Sequence, residues 1–99
     1  MTYKTRPGIV LLKICDTFLL IAKREIWETC PRIRPIPMSW AGCWTIMKNG
    51  KTNEEAIKSF SDLFHKPEEL FQKRYEKMFE TLYLEGYLIE SEEAKDDKD

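Results

Sequence analysis

The stretch Pro31-Arg32-Ile33-Arg34-Pro35-Ile36-Pro37-Met38-Ser39-Trp40-Ala41-Gly42-Cys43-Trp44-Thr45-Ile46-Met47 changes period midway, and that change decides the fold. Its first seven residues hold three prolines. They exclude a helix and demote the segment, residues 31–37, to the edge of a sheet. From Ser39, read as an N-cap, apolar residues recur at helical spacing. Ala41, Trp44 and Met47 fall on one stripe, with Trp40 and Cys43 beside it. An edge strand thus hands over directly to a helix.

Two strands are expected before this point. Residues 8–13 and 17–24 are rich in β-branched and aromatic side chains, and Cys15-Asp16 between them suits a hairpin turn. Residues 25–30 read as a loop. After it, Lys48-Asn49-Gly50 ends the first helix, with Gly50 at the C′ position. Thr52-Asn53-Glu54-Glu55 is a capping box. It opens a second helix whose stripe is Ala56, Ile57, Phe60, Leu63 and Phe64. His65-Lys66 connects to a third helix, which begins at Pro67-Glu68-Glu69 with proline in the first turn and acids at the positive end of the dipole. Its core stripe is Phe71, Tyr75, Met78, Phe79 and Leu82. Gly86 stops it, and Tyr87-Leu88-Ile89 forms a short extension. Strands followed by helices predict an α+β domain: a three-stranded antiparallel sheet with three helices packed on one face, and a helix-turn-helix-like core.

The chain has 99 residues, 42% apolar and 33% charged, which fits one small domain over residues 1–89 and an acidic, disordered tail over 90–99. The net charge of −1 hides a division. Residues 1–51 carry 9 Lys/Arg against 3 Asp/Glu, hence +6, and residues 52–99 carry 7 against 14, hence −7. A basic first half attracts anionic partners unless the acidic half neutralises it within the fold.

Several function classes are excluded or left without support. Lys13 and Asp16 break the longest apolar run, so no membrane span is expected. No cleavable leader pattern follows Lys4 and Arg6. Cys15, Cys30 and Cys43 are odd in number and widely spaced, which argues against disulfides and a zinc site and for a reducing, cytoplasmic setting. Nucleotide-binding glycine motifs and the nucleophile elbow are absent. The single histidine, His65, falls in an exposed connection. The chain therefore reads as a binding protein rather than an enzyme, with no cofactor and no metal.

The prolines sharpen that reading. Backbone N–H directions alternate along a strand, and Pro31, Pro35 and Pro37 are all odd-numbered. Their missing donors fall on one edge, while Arg32, Arg34 and Ile36 keep a full ladder on the other. The outward edge offers carbonyls and one N–H, from Ile33. Such an edge either blocks unwanted sheet growth or docks an extended peptide.

At this point the chain resembles the PqqD-like family, standalone recognition elements for ribosomally made, post-translationally modified peptides. The resemblance spans roughly residues 6–89. It starts at Arg6-Pro7-Gly8 and is most specific over 34–47, which is similar to the family's apolar–Asn–x–Thr–Gly–Ala–x–x–Trp–x–Leu–Leu stretch. Ser39 falls at the Thr, Ala41 at the Ala and Trp44 at the Trp. Pro37 replaces the usual Asn and Trp40 the usual Gly. Lys48-Asn49-Gly50-Lys51-Thr52 matches the turn into the second helix, and Leu84-Glu85-Gly86-Tyr87-Leu88-Ile89 resembles the closing pattern. The resemblance implies a winged-helix-like domain that takes up the leader of a precursor peptide as a fourth strand beside the third, in a groove against the third helix. It implies delivery of that peptide to a tailoring enzyme, often a radical SAM protein, whose cofactors belong to the enzyme.

On the strand, the groove-lining residues would be Arg32, Ile33, Arg34 and Pro35. On the third helix, Leu70, Arg74, Lys77 and Thr81 share one flank beside the core stripe at ~100° per residue. Their mix suits a leader with apolar and acidic side chains. The competing reading is that Arg74 and Lys77 pair with acids such as Glu80 and Glu85. Two other functions stay open: a winged-helix DNA-binding protein, which the acids of the third helix oppose, and a small subunit of another complex. Either a monomer or a homodimer is compatible with the sequence.

Overall fold

Strand and helix propensities along the chain resolve into β1 (Tyr3–Thr5), β2 (Ile9–Ile14), β3 (Thr17–Ala22), β4 (Ile33–Ile36), α1 (Met38–Met47), α2 (Asn53–Phe64), α3 (Glu68–Glu85) and β5 (Leu88–Glu90). A 3-10 turn at Arg24–Ile26 occupies the start of the expected loop. The computed structural model describes residues 2–28 and 31–91. The architecture is α+β, with an antiparallel sheet ordered β2-β3-β4 and three helices, as expected.

β2 and β3 pair along their whole length, from Ile9 opposite Ala22 to Ile14 opposite Thr17. Cys15 makes the tight turn possible by adopting φ 56°. β4 lies antiparallel to β3, with Phe18 opposite Ile36 and Leu20 opposite Arg34. Directly opposed residues share a face. Leu20, Ala22 and Ile36 are buried, and Ile9, Leu11 and Phe18 pack against the same core. The opposite face turns away from every helix.

α1 starts two residues earlier than Ser39 as a cap would place it. Pro37, extended at ψ 157°, is the N-cap, and its carbonyl accepts the Ala41 N–H at 3.1 Å. Proline has no side-chain acceptor, so this start carries no side-chain cap. The C-cap is Lys48, which puts Gly50 two residues beyond it, at φ 91°. The Thr52–Glu55 capping box forms as expected, with both reciprocal hydrogen bonds present. Pro67 caps α3 from outside rather than standing in its first turn.

The core stripes of α1 and α3 match the periodicity: Ala41, Cys43, Trp44 and Met47 on one, Phe71, Tyr75, Met78, Phe79 and Leu82 on the other. α2 differs. Leu63 and Phe64 are exposed, because α2 ends there and the chain turns at His65, which takes φ 54° as the C-cap. Phe64 still lies 6.0 Å from Phe71, ring centre to ring centre.

A second sheet was not expected. β1 pairs antiparallel with β5, Tyr3 opposite Glu90 and Thr5 opposite Leu88. The Ser91 N–H bonds the Thr2 carbonyl at 2.8 Å, and the Tyr3 N–H bonds Asn53 Oδ1 at 2.7 Å. Order thus continues to Ser91. The rest of the expected tail, 92–99, lies outside the described residues, as does Cys30. Among the described residues, no helix is long and apolar enough to cross a membrane.

Candidate functional site

Among the described residues, β4 pairs with β3 alone, and its other edge is open. The register points the backbone groups of Arg34 and Ile36 toward β3 and those of Ile33 and Pro35 away from it. The full ladder expected through Arg32 stops short. The Ala22 N–H reaches the Arg32 carbonyl at 2.9 Å, but the Ala22 carbonyl takes the Trp27 indole N–H at 2.8 Å. A bulky donor from the turn thus claims the acceptor of the last rung.

The open edge is narrower than proline parity alone implies. The Pro31 carbonyl accepts the Tyr87 hydroxyl, and the Pro35 carbonyl accepts Arg34 Nη1 at 2.7 Å. Side chains already serve the acceptors on either side of Ile33. A docking strand would therefore find its least encumbered N–H and C=O pair at Ile33. It could share the second lone pair of each flanking carbonyl.

Arg34 also joins the strand to α3. Its Nε lies 3.0 Å from Glu85 Oε1 and its Nη2 3.1 Å from Oε2, a bidentate pair at the C-terminal end of the helix. Both side chains are about two-thirds or more shielded, at 28% and 31% exposure. The guanidinium also lies over Trp40, 5.7 Å from the ring centre. Arg32 is directed elsewhere, onto Trp27 at 4.1 Å, with Arg24 over the same ring at 5.6 Å.

On α3, the helical repeat puts Arg74 and Thr81 within about 40° of Glu85, and Leu70 and Lys77 within about 80°. The expected flank is therefore the one that Glu85 fastens to β4. Arg74 and Lys77 are exposed, and among the described residues neither forms an ion pair; Glu85 pairs with Arg34 instead. Thr81 lies one turn from the fastening point. Leu70, exposed, stands about 22 Å along the axis from Glu85, and among the described residues the hydrogen bonds and ion pairs between β4 and α3 are those of Arg34 with Glu85. The structure thus unites Ile33, Arg34, Pro35 and the C-terminal part of the flank, and leaves Arg32 and Leu70 at its margins. Glu85, Trp40 and Tyr87 belong to the same site. Extending the Arg74–Thr81 flank by one turn would have found Glu85.

A separate cleft of about 490 Å³ lies between β1, α2 and α3, lined by Glu54, Glu69, Lys73, Glu76 and Glu80 together with Ile57 and Phe79. It contains none of the strand-edge residues. Its walls are mainly carboxylates on helix surfaces, whereas an extended peptide adds to an unpaired strand edge, so the edge is the stronger candidate. Among the described residues, no group of three or more His, Cys, Asp and Glu is placed to hold a metal ion. Cys43 is buried in the core, and burial pushes its thiol up to about 12. Cys15 is exposed on the hairpin turn.

Compared with protein families, curated proteins and solved structures, the chain matches none of them.

Proposed function

We propose that this chain binds the leader of a ribosomally made precursor peptide as a fourth strand on the open edge of β4, and presents it to a peptide-modifying enzyme, a radical SAM protein being the foremost type. The observation that carries the reading is the exposed Ile33 edge of β4, which the Arg34–Glu85 pair fastens to the C-terminal end of α3. Backbone bonds at the edge hold the peptide, each contributing ~0.5–1.5 kcal/mol net. Arg34, with Arg74 and Lys77 further along α3, selects acidic side chains, and Ile33 meets apolar ones. The chain acts by binding alone, in the cytoplasm, and the chemistry belongs to the partner enzyme. The five glutamates of α3, from Glu68 to Glu85, weigh against the alternative of duplex DNA.

Panning a displayed random peptide library against the chain tests this. The expected result is recovery of extended sequences mixing apolar and acidic residues, with a Kd near micromolar, about −8 kcal/mol, lost on substituting Ile33 by proline. Tight binding of random duplex DNA at ~150 mM salt, with no peptide recovered, would overturn the reading.

A further inference from the structure

We infer, building on the edge-docking reading above, that Arg24, Trp27 and Arg32 form a carboxylate clamp at the N-terminal end of β4, and that it reads one acidic side chain of the docked peptide. The Trp27 ring is held in place, because its indole N–H donates to the Ala22 carbonyl at 2.8 Å, and the residue is still 37% exposed. The Arg32 guanidinium stands 4.1 Å from the ring centre and that of Arg24 5.6 Å from it. One tryptophan, tied to the end of β3, thus carries two cations.

Arg34 shows what completes such a contact. It too lies over a tryptophan, Trp40, at 5.7 Å, and its in-plane donors are taken by Glu85 and the Pro35 carbonyl. Arg32 and Arg24 have the ring without the carboxylate. A guanidinium over an aromatic ring uses its flat face and keeps its N–H donors. Among the described residues, neither Arg24 nor Arg32 donates a side-chain hydrogen bond or forms an ion pair. Glu25 and Glu28 belong to the same turn, yet they stay exposed and pair with neither. Two like charges gathered on one ring repel each other. A carboxylate relieves that repulsion and matches the guanidinium fork with two hydrogen bonds.

Strand parity makes the clamp part of the peptide edge. Directly opposed residues share a face, and successive side chains alternate between faces. Arg34 lies opposite Leu20 on the core side of β4, and Arg32, two residues back, keeps to that side, while Ile33 between them takes the other. A peptide strand beside Ile33 therefore turns alternate side chains toward Arg32 and Arg34, whichever way it runs. The side chain between those two meets Ile33 on the apolar outer face. Glu85 already holds Arg34, so the cations without a carboxylate are the pair on Trp27. The class of peptide that fits has an acidic residue on the rung of Arg32 and an apolar neighbour beside Ile33.

Two rivals make different predictions. If the arginines only pin the turn after β3 through the ring, no peptide position prefers an acid. If the cations of α3, Arg74 and Lys77, read the acid instead, its advantage survives a change at Arg32.

Walking one glutamate along a synthetic peptide is the test. The probes are acetylated, C-terminally amidated strands of alternating threonine and valine, about 12 residues long so as to outreach β4 at ~3.4 Å per residue. Each carries a single glutamate, and a second set carries glutamine at the same positions. Fluorescence anisotropy reads affinity, and the NMR shift of the Ile33 amide reads docking. One glutamate position is expected to bind about fivefold tighter than its glutamine counterpart. Arg32→Gln should abolish that advantage and Arg24→Gln reduce it, with the glutamine peptides bound as before. The signal of Trp44, buried in the core, reports that each variant is folded. In the unsubstituted chain the Trp27 indole N–H should shift with the favoured peptide, a readout that needs no variant, and its failure to shift overturns the clamp. Peptides that move Ile33 but gain nothing from glutamate, or whose gain survives Arg32→Gln, overturn the clamp and leave edge docking standing. A glutamine peptide with a free C-terminus that gains as much overturns the assignment to a side chain. Peptides that bind without moving Ile33, or not at all, overturn the clamp and edge docking together.

Discussion

Arg34 and Glu85 are 51 positions apart in the chain, yet three nitrogens of the one guanidinium are committed at once, two to the carboxylate and one to the Pro35 carbonyl. The pair fixes the distance between β4 and α3 and holds an acidic group where an acidic peptide side chain would compete for the same cation. Glu85→Gln should therefore tighten binding of acidic peptides, roughly fivefold at most. It should cost the free chain ~0–1 kcal/mol, since the pair is partly solvated. Arg34→Gln should weaken the same peptides. Calorimetric titration with an acidic peptide and its amide counterpart checks both signs, and equal effects on the two peptides would remove Arg34 from side-chain recognition.

Ile33 should be the fastest-exchanging amide of β4 in the monomeric chain, because its N–H points away from β3. The amides of Arg34 and Ile36 face β3 and should be protected. Bound peptide should slow Ile33 by at least tenfold. Residue-resolved hydrogen exchange at low protein concentration, where self-association is negligible, makes the comparison. Protection of Ile33 without peptide would contradict the open edge.

Arg74 and Lys77 stand exposed on the flank of α3. Reversing both charges should weaken acidic-peptide binding more at low salt than at high salt, where the Debye length shrinks to a few ångströms. Melting should shift by only a few degrees, because exposed charges contribute ~0–1 kcal/mol. An affinity that is the same across the salt series would exclude them from the site.

Stability should fall on the alkaline side. The Cys43 thiol ionises at about 12 in the folded chain against 9.0 for the ordinary group, so the native state keeps a proton that the unfolded state releases. The full contribution is present below pH 9 and is lost between the two values, at about 1.4 kcal/mol per pH unit at most. Tyr75, raised chiefly by burial, adds to the loss above pH 10. Urea unfolding from pH 8 to pH 11 should show the decline, and Cys43→Ala should flatten its onset while lowering stability below pH 9. At neutral pH, alkylation mapped by mass spectrometry should label Cys15 quickly and Cys43 only on unfolding.

Much of the fold was legible because its signals are local. The Thr52–Glu55 box, the stripes of α1 and α3, and the hairpin about Cys15-Asp16 each declare themselves within a few residues. The start of α1 was misplaced because Ser39 is the better cap by chemistry, while Pro37 wins by its fixed, extended backbone. The β1–β5 pair was not legible at all. Three residues at each end carry too little pattern, and their pairing depends on the helices bringing them together. The site divided in the same way. Proline parity revealed the outward Ile33 edge, but no spacing rule shows that Tyr87 and Arg34 occupy the neighbouring carbonyls, or that Arg32 turns to Trp27. Those contacts join segments of the chain that only the fold makes neighbours.

The β1–β5 pair also decides how the molecule bears load. With Tyr3 opposite Glu90 and Ser91 bonded to Thr2, the two strand ends leave the fold side by side. Tension between them pulls across an antiparallel ladder whose hydrogen bonds run perpendicular to the strands. The rungs break in succession, as in peeling tape, rather than resisting together in shear. Tension applied between the strand ends therefore reaches the Tyr3–Glu90 rung first, and has to draw Tyr3 out of the core before the remaining rungs can part.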